Sequence, residues 1–275
     1  MNGLSTINIE LTSRCNKSCF MCGRRTIDRD YPGIKMNYGD MSWHTLKLLQ
    51  AQIPPNIVVQ FHSNGEPTLY PQLKLALELF PNNFRHFDTN AKLIVKRADD
   101  IIDNLDTMTI SVIENDPEGD EQYKIVKEFL DIKGDRKPKL IYRLLGNVEN
   151  HERWEKLPGI VATRILHHPL GSFEYEGKPT IPEIGVCLDL LHHLTVDRFG
   201  NVYPCVRFNP KMLGILGNVN HMSLIEMWNS KERQLWIQHH MEGNRDKVPI
   251  CKSTECEYWG VPTGHNNYYT KRSRF

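Results

Sequence analysis

The 275-residue chain lacks a long apolar run, an excess of charge of either sign and any low-complexity linker. No run of about 18 apolar residues occurs, so no membrane-spanning helix is expected. The 34 basic and 33 acidic residues nearly cancel, which argues against a large surface for nucleic acid or membrane. The N-terminus shows no signal-peptide pattern, and the basic stretch 261–275 fits a solvated tail. We therefore expect a cytoplasmic protein with reduced thiols.

Seven cysteines are present, and they fall into two groups. An odd count in a reducing compartment disfavours a disulfide framework, and thiols scattered through a core would show no grouping. The first group is Cys15, Cys19 and Cys22, and the second is Cys187, Cys205, Cys251 and Cys256. Three plus four accounts for every thiol, so the grouping predicts two metal centres.

The first group directly follows a predicted strand over 7–11. Gaps of three and two residues let the loop surround three corners of a [4Fe–4S] cluster, and the fourth iron is then open to a small molecule. Zinc is the alternative, but it favours four ligands and no fourth lies nearby.

The pattern Cys15-x3-Cys19-x2-Cys22 after a first strand resembles the motif of the radical S-adenosylmethionine (radical SAM) superfamily. The resemblance implies that S-adenosylmethionine binds the open iron and is reductively cleaved to a 5′-deoxyadenosyl radical, which takes a hydrogen atom from substrate. It also implies a low-potential electron donor such as flavodoxin or ferredoxin. Met21 occupies a position that is usually aromatic in the family, where the backbone meets the adenine.

A second match to the family lies in the turn Asn64-Gly65-Glu66-Pro67, which follows a predicted strand over 57–62. It is similar to the family's Gly-Gly-Glu-Pro turn, which implies that its backbone and the Glu66 carboxylate hold the methionine amine. Asn64 replaces the first glycine of that turn. On its residues alone, Asn-Gly before proline is also an ordinary turn.

Polar residues at later strand ends follow the same order as in the family. Thr89 and Asn90 resemble its Thr-Asn-Gly sequence, although Ala91 replaces the glycine. The resemblance implies that Ser111 meets the ribose and that Arg143 binds the cofactor carboxylate. A polar residue on a strand that is simply solvated or hydrogen-bonded is the alternative in each case.

Strand-like and helix-like segments alternate over the first 168 residues, which predicts an α/β fold with a parallel sheet. The predicted strands are 7–11, 57–62, 84–88, 107–113, 139–145 and 160–166, and the helices are 42–51, 71–79, 95–104, 120–132 and 150–156. Six such units fit a partial (β/α)6 TIM-like barrel, the fold that the resemblance also implies. Chemistry in such barrels gathers at the C-terminal strand ends.

A Gly- and Pro-rich stretch over 169–185 predicts a bridge to a small α+β domain over 186–260. Cys187 precedes a hairpin that turns at Gly200-Asn201 and ends at Cys205, and a helix is predicted over 224–239. This part resembles the twitch or SPASM-type auxiliary-cluster domain. Four cysteines imply one [4Fe–4S] cluster, although the spacing of Cys251 and Cys256 is wider than usual, and zinc held by four cysteines is the alternative.

The whole layout is similar to small twitch-bearing radical SAM dehydrogenases. That resemblance implies oxidation of a small polar alcohol, sugar or cyclitol, with the second electron passing to the auxiliary cluster. If all seven cysteines are ligands, no thiol is left to return a hydrogen atom, which disfavours a thiol-dependent epimerase. Modification of a ribosomally made peptide is an alternative, and a non-catalytic zinc protein is another.

Several histidines complete the candidate set. His62 lies beside the Gly65-Glu66 turn, and His167 and His168 end the sixth predicted strand, so these three are candidate bases, with ordinary packing as the alternative. His239 and His240 end the predicted helix over 224–239, where a charged imidazole would interact with the negative helix end.

Overall fold

The computed structural model describes residues 1–164, 166, 186–206 and 209–251. These residues form a nine-stranded sheet with the order β6-β5-β4-β3-β2-β1-β7-β8-β9. The strands are β1 Thr6–Ile9, β2 Val58–Gln60, β3 Phe84–Thr89, β4 Thr107–Ile113, β5 Lys139–Leu145, β6 Ile160–Arg164, β7 His193–Val196, β8 Asn201–Tyr203 and β9 Gly217–Asn218.

The helices lie mostly between consecutive strands. They are α1 Arg24–Asp30, α2 Pro32–Lys35, α3 Trp43–Gln50, α4 Leu73–Glu78, α5 Ala98–Ile101, α6 Gly119–Lys133, α7 Glu152–Glu155, α8 Leu188–His192, α9 Leu224–Trp228 and α10 Lys231–Met241. Ser42 caps α3, since its hydroxyl accepts from the Thr45 amide. The two short helices α1 and α2, directly after Cys22, were not predicted.

Strands β1 to β6 pair in parallel with their neighbours along the chain. This arrangement confirms the predicted α/β class with six strands alternating with helices. The ends of parallel strands meet at one edge of the sheet, so the residues after β1, β2, β3 and β4 are brought together.

The two faces of the sheet differ in polarity. On one face, apolar side chains pack under the helices, as where fully buried Tyr142 of β5 and Trp154 of α7 meet with ring centroids 5.5 Å apart. On the other face, alternate positions carry polar side chains, among them His86, Asp88 and Arg143. We call this second surface the polar face of the sheet.

The C-terminal part continues the same sheet. β7 pairs in parallel with β1, from Thr6 opposite His193 to Ile9 opposite Val196. β7 and β8 then form the predicted antiparallel hairpin, and Gly200 takes the positive φ of 88° that its turn requires. The predicted small domain therefore shares a sheet with the larger part of the chain.

The helix predicted over 224–239 is divided in two. α9 ends at Trp228, and Ser230 caps the start of α10, because its hydroxyl accepts from the Arg233 amide at 3.2 Å. A serine that caps a new helix competes with continuation of the old one, which is the physical reason that a single helix was wrong here.

Some predictions fall outside the described residues. These are His167, His168, Cys256, the bridge over 169–185 and the tail over 261–275. Among the described residues, no helix is long and apolar enough to cross a membrane.

Candidate iron–sulfur and cofactor site

The loop with the first three cysteines lies at the strand-end edge of the sheet. Cys15, Cys19 and Cys22 line an open cavity of about 530 Å³, and all three are partly exposed. The cavity gives a small molecule access to the thiols. This opening fits a centre that must bind a ligand as well as a metal.

The spacing of the three thiols favours a cluster over a single zinc ion. Tetrahedral zinc, with Zn–S bonds of about 2.3 Å, would bring its sulfurs to about 3.8 Å from one another. Among the described residues, only His62, His86 and Asp88 have three ligand atoms within 4.8 Å of one another. The three cysteine sulfurs therefore do not all lie within this distance of one another. The cysteine loop is thus more open than a zinc ion requires, and three thiols around a cavity fit an iron–sulfur cluster.

Protonation of the thiols follows from their surroundings. Burial raises the pKa of Cys15 and Cys22, and it raises the pKa of Cys19 to about 12. The metal-free thiols are therefore protonated near neutral pH. Binding of a metal as thiolates must release these protons.

Gly65 explains how the turn after β2 grips the cysteine loop. A Cβ at this position would lie 2.1 Å from the Thr12 carbonyl oxygen and 2.7 Å from that of Arg14. The amide of the next residue, Glu66, donates to the Arg14 carbonyl at 2.8 Å. Only glycine allows this approach, so the predicted turn meets the loop through its backbone.

Glu66 ties the ends of β2 and β3 together. Its Oε1 accepts from the hydroxyls of Thr68 and Thr89, each at 2.7 Å, and its Oε2 accepts from the Asn90 amide at 2.8 Å. Glu66 is 3% exposed, and burial raises its pKa against the lowering effect of these donors. Pro67 then opens a short 3-10 turn that Glu66 caps.

Asn90 connects the end of β3 to the cysteine loop. Its side-chain amide donates to Asn16, between Cys15 and Cys19, at 2.8 Å. Gln122 of α6 donates to the carbonyls of both Asn90 and Ser111, at 3.0 Å each. The predicted cofactor residues Thr89, Asn90 and Ser111 thus lie around one edge, whereas Ala91 takes a φ of 67° where the family has glycine.

Lys17 is a further anchor of the loop that the sequence reasoning missed. Its side chain is 7% exposed, and its ammonium pairs with Asp116 in the connection after β4 and lies 3.4 Å from Glu118. Burial lowers the pKa of Lys17, but the hydrogen bond and charge of Asp116 outweigh this effect and raise the pKa overall. Buried, paired charges far apart in the chain leave no local sequence signal.

On the polar face, Asp88 is the centre of a charged network. Arg143 donates to both of its carboxylate oxygens, His86 Nε2 lies 2.9 Å from Oδ1, and His62 Nε2 lies 3.6 Å from Oδ2. Ser111 lies directly opposite Arg143 in the register of β4 and β5. Arg143 was predicted to bind the cofactor carboxylate, and in the structure it is hydrogen-bonded to the carboxylate of Asp88.

Protonation in this network can be assigned from its contacts. Burial lowers the pKa of His62 to about 4, so the ring is neutral at physiological pH. His62 Nδ1 accepts from the Asp88 amide at 3.1 Å, which places the ring proton on Nε2. Burial raises the pKa of Asp88, but its interactions with His62, Arg143 and His86 outweigh burial and hold the pKa below its ordinary value.

The same contacts argue against a metal ion at His62, His86 and Asp88. The Nε2 of His62 carries the ring proton, so it has no lone pair for a metal. Arg143 already holds the Asp88 carboxylate and would repel a cation. The three groups therefore form a hydrogen-bonded network that can bind polar groups of a substrate.

The network extends to the C-terminal part of the sheet. The Asn8 side-chain amide donates to the His62 carbonyl at 3.0 Å, and Asn8 Oδ1 contacts His193 Nε2. Asn8 is fully buried, and His193 begins β7. Polar residues of β1 and β7 thus border the polar face near His62.

Cys187 is more enclosed than the first three cysteines, because it is buried in the main core. Cys205 and Cys251 are partly exposed, as the first three are. The Cys187 amide donates to Nδ1 of His240 at 3.3 Å. Burial lowers the pKa of His240 to about 4, so the prediction of a charged His240 at the helix end was wrong: the ring is buried and neutral.

Comparison with known proteins supports the resemblance that the cysteine patterns suggested. Residues 187–257 match the model of SPASM, an iron–sulfur cluster-binding domain. The chain therefore carries a SPASM domain. The resemblance to radical SAM enzymes with such a domain is confirmed, as is the α/β fold class.

Among individual proteins, the chain is similar to the S-adenosyl-L-methionine-dependent 2-deoxy-scyllo-inosamine dehydrogenase of Niallia circulans. The two are 23% identical over 257 residues, which cover 90% of this chain and 92% of the relative. The chain is also similar to the crystal structure of BtrN in complex with AdoMet and 2-DOIA, with 19% identity and a TM-score of 0.55 over 94% of this chain and 98% of that one.

A third similar structure is Streptococcus suis SuiB bound to precursor peptide SuiA. Its TM-score is 0.62 at 13% identity, over 94% of this chain and 75% of that one. Together with the SPASM match, these relatives support the predicted [4Fe–4S] clusters and S-adenosylmethionine as cofactors.

Proposed function

We propose that the chain is a radical SAM oxidoreductase that oxidises a small polar substrate of the alcohol, sugar or cyclitol type. The observation that carries this proposal is the charged network around Asp88 on the polar face. It supplies fixed donors and acceptors for hydroxyl or amine groups beside the edge that holds the cysteine loop. Similarity to a dehydrogenase over 90% of the chain supports the same reaction class.

The proposed ligands are Cys15, Cys19 and Cys22 for the first cluster, and Cys187, Cys205, Cys251 and Cys256 for the second. When bound, the clusters and S-adenosylmethionine supply a hydrogen-abstracting radical and an acceptor for the second electron. The partly exposed loop suits the first role, and a cluster held by four thiolates, with no open iron, would suit the second.

The turn and strand ends are proposed to orient S-adenosylmethionine. Asn64, Gly65, Glu66 and Pro67 form a turn whose backbone faces the cysteine loop, which suits the methionine amine. Met21 is proposed to meet the adenine through its backbone.

Further polar groups complete this cofactor site. Thr89 and Asn90 hold the Glu66 carboxylate, and Ser111 is proposed to meet the ribose. Arg143 keeps its Asp88 partner and is proposed to offer its other N–H groups to the cofactor carboxylate.

The polar face is proposed to bind the substrate and direct its proton. Alcohol oxidation releases one hydrogen atom from carbon, one proton from oxygen and one further electron. Neutral His62 has Nδ1 engaged by the Asp88 amide, so it acts by orienting Asp88. His167 and His168, outside the described residues, are the proposed acceptors of the hydroxyl proton.

Anaerobic metal and product analysis tests this proposal. The reconstituted chain should hold about eight irons, four per cluster. With an aminocyclitol substrate deuterated at the carbinol carbon, deuterium should appear in 5′-deoxyadenosine and a ketone should form. A chain that holds zinc without iron, or that releases no 5′-deoxyadenosine with any polyol, contradicts the proposal.

Peptide modification is the second candidate, because the SuiB structure with precursor peptide SuiA has a similar fold. Incubation with candidate precursor peptides distinguishes the two, since a peptide crosslink changes peptide mass by two hydrogens. A low-potential flavodoxin or ferredoxin as electron donor, and a cytoplasmic location, are proposed for either reaction.

A further inference from the structure

The short helix α8, which begins directly after Cys187, is held at both ends by one other helix, α10. Helix ends carry amides and carbonyls that have no partner within the helix, so a buried helix end needs partners from elsewhere. α8 is short, and its first residue follows a cysteine of the SPASM match. Its placement therefore decides where the Cys187 thiol lies.

At the N-terminal end of α8, the partner is His240. Its Nδ1 accepts from the Cys187 amide at 3.3 Å, and its side chain is fully buried. An imidazole that accepts a backbone amide in this way fixes the backbone of the cysteine and leaves the thiol to point elsewhere.

At the C-terminal end of α8, the partner is Arg233. Its Nη2 donates to the carbonyls of Leu190 and Leu191, at 2.7 and 3.0 Å. The guanidinium lies 3.5 Å from the Trp228 ring centroid and is 5% exposed, so its geometry is constrained on several sides.

Arg233 and His240 lie seven positions apart on α10, which places them on one face of that helix. One face of α10 thus presents a donor to the carbonyl end of α8 and an acceptor to its amide end. Because the acceptor His240 fits only the amide end of α8 and the donor Arg233 only its carbonyl end, the pair fixes the direction of α8 and its position along α10.

We propose that His240 and Arg233 are positioning residues for Cys187, so that α10 sets the location of this thiol for the auxiliary centre. The proposal rests on the proposed role of Cys187 as a cluster ligand. Outer partners of metal ligands commonly change metal affinity by about 10- to 100-fold when they are lost.

The test uses the full chain with Cys15, Cys19 and Cys22 changed to alanine, so that iron reports the auxiliary centre alone. This parent should hold about four irons. We compare His240→Asn with His240→Gln. The Asn side-chain oxygen can replace Nδ1 as the acceptor of the Cys187 amide. The longer Gln side chain places its polar groups nearer the position of Nε2, so this hydrogen bond is lost. His239→Gln, at the neighbouring position, is the matched control.

The readouts are iron per chain, the rate of iron loss to a chelator and the low-temperature EPR spectrum of the reduced cluster. We expect His240→Gln to lose iron about tenfold faster and to show a changed spectrum. His240→Asn and His239→Gln should behave like the parent. Circular dichroism and thermal unfolding identify any variant that fails to fold, and Arg233→Lys, expected to loosen the other end of α8, gives an independent second variant.

Iron loss and spectra unchanged in both His240→Gln and Arg233→Lys overturn the positioning role. Equal changes in His240→Asn and His240→Gln also overturn it, because they indicate that the imidazole acts in another way. If the parent with the three cysteine substitutions binds no iron, this proposal is overturned. The iron content of the unmodified chain then tests the proposed function separately.

Discussion

The first three cysteines and Cys187 are held in opposite ways. The loop with Cys15, Cys19 and Cys22 is partly exposed and is tied by polar and charged contacts to the ends of three strands. Cys187 lies in the core and is held by buried side chains of a single helix. A centre that must admit a small molecule needs an opening, whereas one that only passes electrons is best enclosed. The difference in anchoring matches this proposed division of labour.

The largest expected effect comes from Gly65→Ala. Its Cβ would lie 2.1 Å from the Thr12 carbonyl, so the cysteine loop or the turn must move. We expect formation of 5′-deoxyadenosine to fall by about 100-fold or more, since displacement of reacting groups by about 1 Å has effects of this size. Iron at the later cysteines should remain. Gly33→Ala is the control, because a Cβ there meets nothing within 4 Å; equal activity of both variants would contradict the close approach.

Lys17→Met tests the charged anchor of the same loop. It leaves the buried Asp116 carboxylate without its partner, which should cost about 3–5 kcal/mol of unfolding free energy. Lys17→Met combined with Asp116→Leu should recover most of that loss, because no unpaired charge then remains. Denaturant unfolding measures both. Recovery of stability without recovery of iron at the first site would show that the pair also shapes the loop.

Two histidines, one in each region, make the unfolding free energy depend on pH. Burial lowers the pKa of His62 and of His240 to about 4, against about 6.5 in the unfolded chain. The unfolded state therefore binds more protons between these values, and each histidine removes stability as pH falls from 6.5 towards 4. The slope is at most about 1.4 kcal/mol per pH unit for each group.

The variants His62→Phe and His240→Asn should each flatten this pH dependence relative to the parent. Urea unfolding at pH 7 and pH 5 provides the measurement. Parallel pH profiles for a variant and the parent would contradict the assignment of a buried neutral ring at that position.

The smallest expected effect comes from Ala91→Gly. Ala91 has a φ of 67°, a conformation that costs a residue with a Cβ about 1–2 kcal/mol, while glycine loses about 0.5–1 kcal/mol through greater freedom when unfolded. The net gain should be about 1 kcal/mol or less, seen as a small rise in Tm. A drop in Tm would mean that the buried Ala91 methyl contributes more through packing than the strain removes.

Local patterns predicted much of the fold, because strand and helix periodicity and the cap at Ser42 depend on neighbouring residues. The six parallel strands and the hairpin before Cys205 were found in this way. The pairing of β7 with β1 could not be predicted, since it joins residues almost 190 positions apart. The break at Ser230 was missed because an apolar pattern continued across it.

The candidate site also contains residues that local sequence motifs reveal and residues that only the folded structure reveals. Cys15, Gly65 and Glu66 could be proposed from the sequence because they lie in short motifs. Lys17 and Asp88 depend on partners brought together by folding, so their roles appear only in three dimensions. His62 was predicted as a base, whereas its contacts with the Asp88 amide suit an orienting role.

The pairing of β7 with β1 has a further consequence. β1 leads into the loop of Cys15. The strand beside it, β7, lies between Cys187 and Cys205 in the sequence. Adjacent strands lie about 4.8 Å apart and are fixed by backbone hydrogen bonds. The loop of Cys15 and the segment from Cys187 to Cys205 are therefore attached to paired strands of one sheet. If these cysteines hold the two proposed clusters, the distance that an electron must cross between them is set when the sheet forms.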